Sequence, residues 1–185
     1  VVPGDQTGGN YYFLASDPIN NRLATSDVVN NRVIVYNAYP GGITELVQFN
    51  VSLVTPYITE FSVDGQLLFS SSYGRTDILV YAMNTLTFLQ FIPIGCNSVI
   101  FELSTGGTTI YSACLAEKTI VVVDVASLSA IYSIDVSPDT PNGFVSTPDD
   151  QLMFAVTENG RILSFDMTSN VTAQTPLDQL SIGGG

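Results

Sequence analysis

The sequence predicts an all-β fold of the β-propeller type, built from four four-stranded antiparallel blades. Three observations predict it. A unit recurs about every 43 residues along the chain. Each copy breaks into short runs rich in Val, Ile, Tyr and Phe, bounded by Gly, Pro, Asn and Asp. No stretch keeps the 3.6-residue apolar period of a helix. Four antiparallel strands at this period are the sequence form of a propeller blade, and the Gly and Pro punctuation excludes helical repeats of similar length.

In the first copy, strand residues 13–16 and 23–26 flank a turn at 17–21. In the second, 60–62 and 67–70 flank Val63-Asp64-Gly65-Gln66; in the third, 101–103 and 109–112 flank Ser104-Thr105-Gly106-Gly107; in the fourth, 144–146 and 152–155 flank Thr147-Pro148-Asp149-Asp150. Asp-Gly and Gly-Gly supply positive φ in such turns, and Pro presets the entry. A third strand follows at 33–36, 78–81, 120–123 and 162–165. These runs are almost continuously apolar, so both of their faces are expected to be covered. A fourth strand returns at 45–51, 88–94 and 130–136, with a weak one at 172–180. The units span about 11–52, 53–95, 96–137 and 138–181 in one domain covering 1–185.

The phrases Ser62-Val63-Asp64-Gly65-Gln66-Leu67-Leu68-Phe69 and Ser104-Thr105-Gly106-Gly107-Thr108-Thr109-Ile110-Tyr111 resemble the turn-strand phrase of YVTN-type propellers. Val122-Val123-Asp124-Val125-Ala126-Ser127 resembles that family's strand-end phrase. The family includes lactonase-like and surface-layer propellers, and the resemblance covers nearly the whole chain. It implies blades rather than a chemistry. Members usually close with about seven blades. With four, the end faces are satisfied in one of three ways: a closed four-bladed ring, four blades of a longer chain, or closure by another copy.

Hydrophobic residues make up 45% of the 185 and charged residues only 12%, about half the usual charged share. Five basic residues face seventeen acidic ones, for a net charge of −12. A chain this acidic repels nucleic acid and anionic membranes, and no apolar run reaches the length of a membrane helix. Neither nucleic-acid binding nor membrane insertion is expected. The aspartates are scattered without the spacing of a calcium loop, so the charge reads as solubility. The chain starts at Val1 without Met and ends in Gly183-Gly184-Gly185, which suggests a processed chain or a piece of a longer one.

The two cysteines, Cys96 and Cys114, fall about opposite each other across the hairpin that turns at 104–108. They are expected to form a disulfide, which implies an oxidising compartment; the competing reading is two buried thiols. Two N-x-[ST] sequons, at Asn50 and Asn170, sit at a strand end and a loop tip and are candidate glycosylation sites.

There is no histidine, which removes the usual general base and the commonest transition-metal ligand. No phosphate-binding, dinucleotide-binding or nucleophile-elbow motif occurs. Asp149-Asp150 is an adjacent acidic pair, but it sits in a turn, and Asp124 and Asp166 occupy equivalent repeat positions that suit turn capping. Lactonase-like relatives would hold a metal in a central channel; no residue cluster here is carried over to that role. No catalytic residue, cofactor or metal site is therefore expected. The leading expectation is a non-enzymatic extracellular or cell-surface module for structure or adhesion. It would self-associate, in a surface layer or filament, or bind other extracellular proteins or glycans. The alternatives are a lactonase-like or glycan-processing enzyme with clustered loop carboxylates, and a glycan-binding module with tyrosines such as Tyr39, Tyr57 and Tyr73 exposed on one rim.

Overall fold

The computed structural model describes residues 11–51, 55–98, 100–168 and 178–181. All regular secondary structure among them is strand. The first sheet holds β1 (Tyr11–Asp17), β2 (Arg22–Asp27), β3 (Arg32–Tyr39) and β4 (Gly42–Asn50). The second holds β5 (Thr55–Phe61), β6 (Leu67–Tyr73), β7 (Asp77–Ala82) and β8 (Thr87–Pro93). The third holds β9 (Ile100–Leu103), β10 (Thr109–Cys114), β11 (Thr119–Asp124) and β12 (Ser129–Asp135). The fourth holds β13 (Pro141–Ser146), β14 (Leu152–Thr157), β15 (Arg161–Asp166) and β16 (Asp178–Ser181). Strands neighbour one another in chain order within every sheet, which is the meander of a propeller blade.

The expected turns form for identifiable reasons. In the second sheet the Ser62 hydroxyl donates to Asp64 at 2.6 Å and accepts the Leu67 N–H at 2.9 Å. Gly65 takes φ +66 and donates its N–H to the Ser62 carbonyl. Ser104 and Gly107 repeat this in the third sheet, and Thr147, Asp149 and Asp150 in the fourth. The hydroxyl closes the turn, the aspartate steadies the hydroxyl where one is present, and the third residue after the hydroxyl needs a left-handed backbone. Asp150 adopts that backbone at φ +53 without being glycine.

The chain divides into two compact units, Val1–Phe91 and Ile92–Gly185. The core of the first lies between the first and second sheets, where Ala24, Val33, Val35 and Phe49 meet Phe61, Leu68, Leu79 and Tyr81. The core of the second lies between the third and fourth, where Tyr111, Ile120, Val122 and Ile134 meet Met153, Leu163 and Phe165. As expected, the central residues of β3, β7 and β11 are buried on both faces. In β15 only Leu163 and Phe165 are buried, while Ile162 and Ser164 stay half-open.

Candidate functional site on the fourth sheet

The difference at β15 follows from the repeat. Ala24, Val33 and Val35 in the first sheet, and Tyr111, Ile120 and Val122 in the third, point at the following sheet and are buried by it. The same repeat positions in the fourth sheet are Phe154, Ile162 and Ser164. Together with Phe144, Val145, Val156 and Leu180 they line an open, largely apolar depression. Val145 is 57% exposed, Leu180 64% and Val156 39%. On the opposite, leading face of the first sheet Ile34 and Tyr36 are buried and Leu14 is 70% exposed. The fourth sheet thus carries a face with the composition of an inter-sheet core, exposed to solvent.

Cys96 and Cys114 are bonded, with their Cα atoms 5.6 Å apart. The hairpin register differs from the sequence expectation. Ile110 pairs with Leu103 and Ala113 with Ile100, so Cys96 lies in the bend before β9 rather than directly across from Cys114. The disulfide ties the end of β10 to the segment entering the third sheet. A Glu117 carboxylate oxygen and the two sulfurs lie within 4.8 Å of one another, but with the sulfurs joined only one carboxylate remains as a ligand, too few to hold a metal. Asn50 is exposed at the end of β4. Asn170 lies outside the described residues.

The carboxylates of the repeat are committed to the fold. Asp124 accepts the Ser127 N–H at 2.7 Å, and Asp166 accepts the Thr168 N–H at 2.9 Å, each capping the turn that follows its strand. Asp149 accepts from Thr147 within its own turn. Asp150 reaches the neighbouring sheet, accepting from Ser104 Oγ at 2.7 Å, Gly106 N at 2.9 Å and Thr108 Oγ1 at 3.0 Å, as well as from Ser146 Oγ at 2.9 Å. Burial pushes its carboxyl up, yet these donors outweigh it and hold the group below its ordinary value. A Cβ at Gly106 would collide with the Asp150 carboxylate, so the glycine is needed for this approach.

Sequence reading missed the role of the arginines. Arg22 pairs with Asp17 at 2.5 Å, Arg32 with Asp27 at 2.8 Å, Arg75 with Asp77 at 2.6 Å and Arg161 with Asp139 at 2.5 Å. In three of these pairs the acid is almost wholly buried. The pairs Asp17…Arg22 and Asp27…Arg32 share a five-residue spacing across a turn, a repeated signal that could have identified them. Lys118 donates to the Pro138 carbonyl. Every basic residue therefore serves an internal contact.

Of the tyrosines proposed for a rim, Tyr73 is 67% and Tyr39 52% exposed. Tyr57 is half-buried and packs on Phe13, with ring centroids 5.1 Å apart.

Neither a family model nor a curated protein matches the chain. Solved structures do. Hydrazine synthase from Kuenenia stuttgartiensis superposes with a TM-score of 0.78 at 20% identity, over 98% of this chain and 51% of that one. A chain of the mitotic checkpoint complex superposes with a TM-score of 0.72 at 17% identity, over 92% of this chain and 51% of its own. The chain spans about half the length of these relatives. At such identities the likeness establishes the fold alone: a β-propeller-type repeat.

Proposed function

We propose that this chain is a non-enzymatic structural module of YVTN-type blades that works outside the cell or at its surface and associates with a second copy through the open face of its fourth sheet. The observation that carries this reading is the exposure of Val145, Val156 and Leu180 on a face whose repeat equivalents in the first and third sheets are buried cores. Contiguous apolar surface of this kind favours association. The association is taken to be between like faces, two fourth sheets packed about a two-fold axis, the commonest symmetry of homo-oligomers. The disulfide supports an oxidising compartment, and the exposed Asn50, first residue of a sequon, suits glycosylation there. The commitment of the aspartates and arginines to internal contacts supports a scaffold rather than a catalyst.

Light scattering on the purified chain tests the reading. The wild type is expected to run as a dimer. Val145→Asp, or Val156→Lys with Leu180→Asn, places like charges or polar groups opposite themselves across the two-fold axis and is expected to give a folded monomer. A wild type that stays monomeric at high concentration, or variants that leave the dimer intact, overturn it.

A further inference from the structure

At the outer edge of the second sheet a run of aromatic rings leads from the core to solvent. Phe49 and Tyr81 stack at 4.2 Å between the first two sheets. Phe88 meets Tyr81 edge-on at 5.9 Å, and Phe91 packs on Phe88 at 4.7 Å. The guanidinium of Arg75 lies 4.5 Å from the Phe91 ring centroid. The inner two rings are buried, whereas Phe88 and Phe91 are each 45% exposed. Arg75 gives both Nε and Nη2 to the Asp77 carboxylate at 2.6 Å, a two-pronged pair at the end of the ring series. Tyr73 stands exposed in the segment that leads to Arg75.

The outer strands of the first and third sheets are built differently. On β4 the corresponding surface is polar, with Arg32 donating to Gln48 and Gln48 to Glu45. On β12 Ser129 and Ser133 are exposed, and Ile131 is the large apolar side chain that stands out. The aromatic pair beside a fixed ion pair therefore belongs to β8 and is no requirement of the repeat.

We propose that Phe88, Phe91, Arg75 and Asp77 form a binding site for a neutral carbohydrate. A pyranose has one face of C–H groups, which packs on an aromatic face, and a rim of hydroxyls, each both donor and acceptor. The two phenylalanines provide the apolar platform. Arg75 uses Nε and Nη2 on Asp77, which leaves the Nη1 donors for a ligand, and the Asp77 oxygens keep further lone pairs. Donor and acceptor thus stand side by side at the platform's edge. The cation–π contact with Phe91 and the two-pronged bond to Asp77 hold the guanidinium in place before any ligand arrives, so little side-chain freedom is lost on binding. The net charge of −12 disfavours acidic sugars. A purely apolar peptide would leave the ion pair without a partner. This site rests on observations separate from the open face of the fourth sheet, and neither reading depends on the other.

The test is a titration of the isotopically labelled chain with methyl glycosides of glucose, galactose, mannose and N-acetylglucosamine and their short oligomers, followed by amide chemical shifts. Shifts confined to residues 73–77 and 87–91 are expected, with a millimolar dissociation constant. Phe91→Leu keeps the apolar volume but removes the ring face, and Asp77→Asn removes the charge. Each is expected to weaken binding about tenfold without changing the dispersion of the remaining amides, whereas Tyr39→Ser leaves binding unchanged. Absence of a response to every saccharide overturns the proposal. So does a response that persists in both variants, or binding at these residues of an extended phenylalanine-containing peptide alone.

Discussion

In the unit Val1–Phe91 the turn of one sheet is tied to the turn of the next by a guanidinium; in the unit Ile92–Gly185 the equivalent tie is a carboxylate. Arg22, held by Asp17, donates to the Gly65 carbonyl in the second sheet's turn and to the Met83 carbonyl at 3.5 Å. Asp150 accepts from Ser104, Gly106 and Thr108 in the third sheet's turn. In both places a glycine lets the charged group come close: a Cβ on Gly65 would strike Asp17 and Asn20, and one on Gly106 would strike Asp150. Each unit ties the turns of its two sheets together. The tie does not specify the sign of the charge, because turn backbones offer carbonyls and N–H groups alike.

The central strands make a second contrast. Ser72 on β6 and Cys114 on β10 occupy the same repeat position. Among the described residues, the buried hydroxyls of Ser26, Thr59 and Ser72 have no hydrogen-bond partner, whereas Cys114 is fixed covalently to Cys96. Both units hold buried ion pairs, but the first carries uncompensated polar groups, whereas the second adds a covalent bond and a hydroxyl-rich turn network to its Arg161–Asp139 pair.

Breaking the guanidinium tie gives the largest expected effect. Arg22→Ala leaves Asp17, whose side chain is 1% exposed, as a buried charge without its partner, at a cost of about 3–5 kcal/mol. Hydrogen exchange is expected to speed up throughout β1, β2 and the β5–β6 turn while β13 and β14 keep their protection. Equal loss in both units would mean that they unfold as one.

Removing the disulfide with Cys96→Ser and Cys114→Ser comes next. The bridge spans a sequence separation of 18, for which chain entropy gives about 3 kcal/mol. Thermal unfolding with and without reductant measures it, and the loss of protection is expected in β9 and β10. A wild type whose transition is indifferent to reductant contradicts the expectation.

Acidification is the mildest probe. For Asp17 and Asp27 burial raises the carboxyl, but hydrogen bonds from Asn20 and Arg22, and from Asn30 and Arg32, outweigh it and hold both groups below their ordinary value. Asp150 behaves alike. A depressed folded-state value means stability that is complete above the unfolded-state value, near pH 4, and lost as pH falls through the folded-state value. The transition temperature is expected to be flat from neutral pH to about 4.5 and to fall below that. In Asp17→Asn the fall is expected to be shallower. Because burial and hydrogen bonding oppose each other at each group, the effect is smaller than deleting a partner.

The strand pattern, the four-fold repeat and the places of the turns were legible because each depends on neighbours a few residues away. Alternation along 120–123 places Ile120 and Val122 on one face, and Ser62-Val63-Asp64-Gly65 closes on itself. The disulfide was legible as a pair, but its geometry was not: the shift that moves Cys96 into the bend before β9 depends on the hairpin register, which composition around the turn leaves open. Asp149 and Asp150 look equivalent in sequence, yet one caps its own turn and the other crosses to the third sheet, some 40 residues away.

By itself the sequence determined the fold class, the four-stranded repeat and the excess of carboxylates over cations, since propensity, side-chain alternation and charge are properties of residues and their near neighbours. Only the tertiary structure decided which blade face stays open, which carboxylate ties two sheets, and where Phe88 and Phe91 emerge beside Arg75. Those outcomes depend on distances between sheets, and a repeat that writes nearly the same apolar pattern in every blade carries no local mark of which one will lack a neighbour.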